Sequence, residues 1–191
     1  MMQRKSLNIG LDITHYKLPK IILMRVAVVI LLAFSFIVSG CAKSSSSFTC
    51  SYDPCALKAP ASEVTQLETY LSGAGITTAT KHCSGLYYQI KSAGSGTTPT
   101  TCSNVSVTYK GTLTNGNVFD QSTSAVAFPL ATLIEGWKKG IPLISKGGSI
   151  TLYLPPTFGY GATDQKDPQT GNVIIPANSI IIFDIQLVDV Q

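Results

Sequence analysis

Ile181, Phe183, Ile185 and Leu187 alternate with Ile182, Asp184, Gln186 and Val188 near the C-terminus. This period of two puts the first set on one face of a long strand over residues 180–190. A strand with one apolar face needs sheet neighbours beside it and a layer to cover it. The neighbours are legible upstream. Leu86-Tyr87-Tyr88-Gln89-Ile90 reads as a strand, Val105, Val107 and Tyr109 alternate into a second, and residues 150–154 form another that Pro155-Pro156 cuts off. Residues 94–99 read as a loop, and Thr114-Asn115-Gly116-Asn117 carries the Asn-Gly hairpin signal. The cover comes from residues 133–139, which read as a helix and hold the sole tryptophan, Trp137. The expected fold class is therefore α+β, with an antiparallel sheet wrapping one short helix.

Upstream, Ser62 followed by Glu63, Val64, Leu67, Tyr70 and Leu71 predicts an amphipathic helix over 62–72, capped by Ser62 and ended by Gly73 and Gly75. It is expected to act as a spacer ahead of the domain. The domain plan is thus 1–40 signal, 41–60 tether, 61–83 helical pre-domain segment and 84–191 folded domain.

Residues 26–38, VAVVILLAFSFIV, are an unbroken apolar run. It is shorter than the roughly 18 residues of a bilayer span and suits the h-region of a secretory signal. Small residues follow it, ending in Val38-Ser39-Gly40-Cys41. This tetrad resembles a bacterial lipobox, which implies lipidation of Cys41, membrane anchoring through the N-terminal lipid, and a location facing the periplasm or the cell surface. A cleaved signal without lipid and an uncleaved anchor are the alternatives. Met24, directly before Arg25, would start a compact signal by itself. Lys43 and the serines after it have the composition of a flexible tether.

Residues 1–40 hold five of the 14 Lys/Arg and one of the 10 acids, leaving nine of each in the remainder. All nine basic residues there are lysines. Without arginine forks or a basic stripe, the domain is not expected to bind nucleic acid. His82 is the only histidine past residue 40, which argues against a multi-histidine metal centre or a Ser/His/Asp hydrolase.

Apart from Cys41, four cysteines remain: Cys50, Cys55, Cys83 and Cys102. An even number in an exported chain predicts disulfides. Three pairings are open. The favoured one joins Cys50 to Cys55 locally and uses Cys83 with Cys102 to clasp residues 84–101. Zinc is disfavoured because no C-x2-C knuckles are present.

Four ordered blocks go further: VTYKGTLTNGNVFD (107–120), FPLATLIEGWKKGIPLISKGGSITLYLPP (128–156), FGYGA (158–162) and IIPANSIIIFDIQLVDV (174–190). Together they resemble the FKBP-type peptidyl-prolyl cis/trans isomerases over residues 84–191. The resemblance implies a half-wrapped antiparallel sheet of five or six strands around a short helix, with a proline-binding pocket between them. It also implies catalysis of X-Pro bond rotation in exported proteins, with proline-containing polypeptides as partners, immunosuppressant macrolides as ligands of the same pocket, and no cofactor or metal.

Carried over by position, Trp137 forms the pocket floor and Tyr109, Phe119 and Phe183 its walls, with Phe128 behind them. Leu133 and Ile134 come from the helix; Ile174 and Ile175 come from the last loop. The Tyr160 hydroxyl and the Ile175 amide would hold the substrate backbone, and Asp120 would sit near the rotating carbonyl. Each aromatic would equally serve as core packing in a small domain, and Asp120 as the acceptor of a structural hydrogen bond. Two departures from the family pattern bear on activity. The stretch 121–127, read as a loop, lacks the arginine that often pairs with this acid, and Val126 stands where an aromatic lines the pocket. Weak activity or an altered preference for the residue before proline is the expected result. Residues 162–173 read as a polar, mobile loop. The alternative function is a non-catalytic binding module or chaperone for proline-containing segments.

Overall fold

The computed structural model describes residues 50–191; the signal, Cys41 and the first part of the expected tether lie outside the described residues. The elements run as helix α1 (Ala61–Gly73), strands β1 (Thr80–Lys81), β2 (Tyr87–Ser92), β3 (Asn104–Leu113) and β4 (Val118–Pro129), then helix α2 (Glu135–Gly140). Strands β5 (Ser149–Leu154), β6 (Gln165–Lys166), β7 (Val173–Ile175) and β8 (Ile181–Val190) complete the order.

Six strands form one sheet in the order β1-β2-β5-β8-β3-β4, antiparallel at every pairing. The alternation in β8 sets its register. Ile181, Phe183, Ile185 and Leu187 are buried, while Asp184, Gln186 and Val188 are exposed. Phe183 lies between Gly111 of β3 and Leu152 of β5, so one apolar face runs continuously through Val105, Val107, Ile150, Leu152 and Leu154.

Helix α2 covers that face. Its two glycines, four residues apart, lie on the sheet side: a Cβ on Gly136 would overlap the Leu154 side chain, and one on Gly140 would overlap Leu152. Glycine costs helix propensity, about 1 kcal/mol per position relative to alanine, but here it lets the helix backbone approach the sheet closely enough to bury Trp137 and Ile141.

Part of the opposite face of the sheet, around Tyr87 and Tyr153, is also covered, and this overturns the spacer expectation. Leu67 and Leu71 of α1 are buried against Tyr153 of β5, with Tyr87, Ile180 and Ile182 around them. An amphipathic helix with a free apolar stripe finds its cover wherever an apolar sheet face is open. Nor does Ser62 cap α1: the helix starts one residue earlier, after Pro60, without a side-chain cap. Glu63 in its first turn accepts the Thr157 N–H at 2.9 Å and the Thr157 hydroxyl at 2.8 Å, which pins the start of α1 to the turn after β5.

The disulfides differ from the favoured pairing. Cys50 joins Cys102 and Cys55 joins Cys83, with Cα–Cα distances of 5.8 and 5.5 Å. Pairing depends on which Cα atoms the fold brings to bridging distance, which sequence spacing alone does not state. Of the expected tether, residues 50–60 are consequently tied down, with the Ala59 N–H also donating to the Ser84 carbonyl at 2.8 Å. A boundary at residue 84 would cut the Cys50–Cys102 bridge, leave the Cys55–Cys83 bridge outside the domain and remove α1.

Two segments read as loops are ordered as strands. Residues 121–127 continue β4: Val126 pairs with Val107 and Ser122 with Tyr109, so β4 advances four residues while β3 advances two. This bulge absorbs the extra residues, and the polar composition suits an edge strand whose outer side meets water. In 162–173, β6 pairs with β7, and Asp167 organises the turn by accepting the Gln169 and Thr170 N–H groups at 2.8 Å each.

Candidate active site

Between the sheet and α2 opens a cavity of about 140 Å³ lined by Tyr109, Asp120, Phe128, Leu133, Ile134, Trp137, Tyr160 and Phe183. Each was expected from the sequence. Tyr109 stands on β3, Asp120 and Phe128 on β4, Leu133 and Ile134 on the approach to α2, Trp137 on α2 itself, and Phe183 on β8. Tyr160 projects from the turn after β5 and is the most exposed of the aromatics here.

The rings meet edge to face. Trp137 packs against Phe183 at 5.2 Å between centroids and 88°, against Tyr109 at 5.3 Å and 78°, and against Phe128 at 6.1 Å and 87°. Such arrangements match the positive ring edge to the negative face of its neighbour and contribute about 0.5–1.5 kcal/mol per pair beyond burial. The indole Nε1 of Trp137 is buried and has no hydrogen-bond partner among the described residues. The rings of Tyr109, Phe128 and Phe183 pack around the indole, so the floor of the cavity is aromatic.

One polar pair stands at the rim. The Tyr109 hydroxyl donates to Asp120 Oδ2 at 2.8 Å. Burial, this hydrogen bond and the nearby carboxylate charge push the Tyr109 hydroxyl up to about 12. Tyr160 is also raised, first by burial and then by the charge of Asp120. Both hydroxyls therefore stay protonated, and able to donate, across the neutral range.

Four expected residues do not line the cavity. Phe119 packs behind Phe183 at 5.5 Å and 90°, acting on the wall rather than forming it. Ile175 is 3% exposed and belongs to the core, while Ile174 points outward. Val126 is half-buried on β4, away from the lining. Ile174 and Ile175 lie in β7 rather than in a loop.

Gly111 was not singled out from the sequence, yet a Cβ there would overlap both the Phe119 and Phe183 rings. A glycine inside an alternating strand is the signal that marks such a close approach. Larger hollows, of about 540, 410 and 350 Å³, lie elsewhere; their walls are mostly polar or exposed side chains, so none offers a comparable aromatic surface.

An aromatic cage with a single carboxylate at its rim suits binding and deforming an apolar ring and its adjoining backbone, not breaking a bond. The family model described as FKBP-type peptidyl-prolyl cis-trans isomerase matches residues 95–188. A probable FKBP-type peptidyl-prolyl cis-trans isomerase of Haemophilus influenzae is 43% identical over 111 residues, which are 56% of this chain and 44% of that protein. Among solved structures, FkpA from Escherichia coli superposes with a TM-score of 0.57 at 36% identity, covering 68% of this chain and 59% of that one. AtFKBP13 superposes at 0.53 with 30% identity, covering 58% of this chain and 97% of that one. The chain belongs to the FKBP-type peptidyl-prolyl cis-trans isomerase family. It spans less than half the length of the curated relative from Haemophilus influenzae.

Proposed function

We propose that this chain catalyses cis/trans rotation of X-Pro peptide bonds. The observation that carries the reading is the cage of Tyr109, Phe128, Trp137 and Phe183 around a cavity with Asp120 at its edge. Rotation about an amide bond crosses a barrier of about 18–20 kcal/mol set by resonance, and uncatalysed X-Pro exchange takes roughly 10–100 s. No covalent bond breaks, so the catalyst needs only to bind the twisted amide more tightly than either planar form. Twisting removes the conjugation that charges the carbonyl oxygen. A planar amide loses more hydration energy than a twisted one on entering an apolar cage, and each 1.36 kcal/mol of that difference is tenfold in rate.

In this mechanism Trp137 supports the proline ring and Phe183 and Tyr109 flank it, while Phe119 holds Phe183 in place. The Tyr160 hydroxyl and the Ile175 amide hold the substrate backbone, and Asp120, steadied by Tyr109, faces the rotating carbonyl. The substrates are proline-containing segments of exported polypeptides, and macrolides presenting a proline-like ring would compete for the same cavity. The apolar run at 26–38, the VSGC tetrad and two disulfides support export to an oxidising compartment with a lipid on Cys41. Among the described residues, no helix is long and apolar enough to cross a membrane.

The test is isomerase activity of the oxidised full chain on peptides that vary the residue before proline, with Phe183→Ala and Asp120→Ala alongside. Acceleration reduced by both substitutions supports the assignment. A folded chain without acceleration overturns it and turns attention to the cavity as a binding site.

A further inference from the structure

Both disulfides end in one short segment. Cys50 and Cys55 bracket residues 50–55, and their partners, Cys102 and Cys83, lie in the loops before β3 and β2. The segment between them packs against α2. The Tyr52 hydroxyl donates to Glu135 Oε2 at 2.9 Å, and the Pro54 carbonyl accepts from Lys139 Nζ at 2.9 Å. Glu135 and Lys139 flank Trp137 in the sequence of α2, two residues to either side.

We propose that residues 50–55 form a strap that seats α2, with Tyr52 and Pro54 as positioning groups for the Trp137 floor and the two disulfides holding the strap in place. This rests on the isomerase reading for its consequence in activity, though not for its geometry.

Lys139 carries the argument. It is 2% exposed, and burying an ammonium costs several kcal/mol unless partners compensate. Its partners are the Pro54 carbonyl, the Tyr52 ring at 5.4 Å, the Phe158 ring at 5.1 Å and Glu135 Oε2 at 3.7 Å. Half of these come from the strap. Burial pushes the Lys139 ammonium down from its ordinary pKa, with Glu135 opposing. Without the strap, the closest partner is gone and the side chain must turn towards water, taking the helix with it. Helix α2 cannot resist: six residues are too few to hold themselves without tertiary contacts. It also has room to move, because Lys138 and Lys139 border a hollow of about 350 Å³ that Tyr52, Pro54 and the loop at 99–101 also line.

The strap is also releasable by chemistry. Cys83 and Cys102 are exposed, so a small dithiol can reach the bridges. Each disulfide takes two electrons and two protons from one dithiol, which closes to its own cyclic disulfide, leaving two cysteine thiols on the protein.

Because Trp137 is the only tryptophan, its emission reads the pocket floor directly. The experiment compares the oxidised full chain, the same chain reduced with dithiothreitol, Tyr52→Phe, and Glu68→Gln as a control on α1, where the carboxylate bonds Lys81 and Tyr87. Reduction is verified by the appearance of four new thiols. The expected result is a shifted Trp137 emission and a kcat/KM lower by about three- to tenfold in both the reduced chain and Tyr52→Phe, with the far-UV spectrum retained and Glu68→Gln unchanged. Unaltered emission in Tyr52→Phe and in the reduced chain overturns the proposal. So does a reduced chain whose activity falls only in step with its far-UV signal. If the oxidised chain shows no isomerase activity but its emission responds to Tyr52→Phe, the isomerase reading fails and the seating stands.

Discussion

The Tyr109 hydroxyl on β3 donates a 2.8 Å hydrogen bond to Asp120 Oδ2 on β4. The register places Asp120 opposite Gly111, two residues along from Tyr109, so a long tyrosine side chain reaches the carboxylate diagonally across the strand pair. Loss of a hydrogen bond to a charged group weakens its positioning, and Tyr109→Phe is expected to lower kcat/KM roughly three- to tenfold while the fold survives. Isomerase rates on a single X-Pro peptide check this; an unchanged rate would detach Tyr109 from the chemistry.

The same hydroxyl predicts an alkaline limb. Its pKa in the folded chain rises to about 12, from an ordinary 10.0. Above pH 10 the unfolded chain ionises this group while the folded chain does not, so the unfolded state gains. The contribution of Tyr109 to stability is therefore complete below pH 10 and is lost as the pH climbs towards 12. Denaturant midpoints measured across that range should fall less steeply in Tyr109→Phe than in the unaltered chain.

Phe183 and Phe119 should separate. Phe183→Ala removes a ring that lines the cavity, and its activity is expected to drop well over tenfold with a stability loss of about 3–5 kcal/mol. Phe119→Ala acts only through the ring it supports and should cost less activity. Equal losses in the two variants would place Phe119 in the lining after all.

Gly136→Ala sets two effects against each other. Helix propensity gains about 1 kcal/mol, but the new methyl overlaps the Leu154 side chain, and overpacking of a filled core costs about 1–3 kcal/mol. The net expectation is a modest loss of stability and a larger loss of kcat/KM, because lifting α2 moves Trp137. Greater thermal stability with full activity would mean that the interface has slack.

Leu67→Ala tests the docking of α1. Leu67 is fully buried, so urea unfolding should show a loss of about 2–5 kcal/mol, with activity per folded molecule kept. A loss of activity without a loss of stability would link α1 to the site itself.

Much of the site was legible because it is written locally. Alternation in β8 needs only neighbouring residues to put Phe183 and Ile185 on one face, and Asn115-Gly116 turns β3 into β4 whatever lies around it. The four ordered motifs carried the eight cavity-lining side chains by position. Phe119, Val126, Ile174 and Ile175 came with them, although their distance from the cavity depends on packing behind the wall and on how β7 pairs with β6.

The sequence by itself thus determined β2, β3, β5 and β8, the hairpin, the central helix and the identity of the cage, since each follows from short-range periodicity or from a motif. Only the tertiary structure decided that Cys50 pairs with Cys102 across 52 residues and Cys55 with Cys83 across 28. The same holds for α1, which packs on part of the outer sheet face, and for residues 50–55, which bond to α2. Those outcomes turn on which surfaces meet in space, and burial and covalent bridging reward proximity that no local pattern encodes.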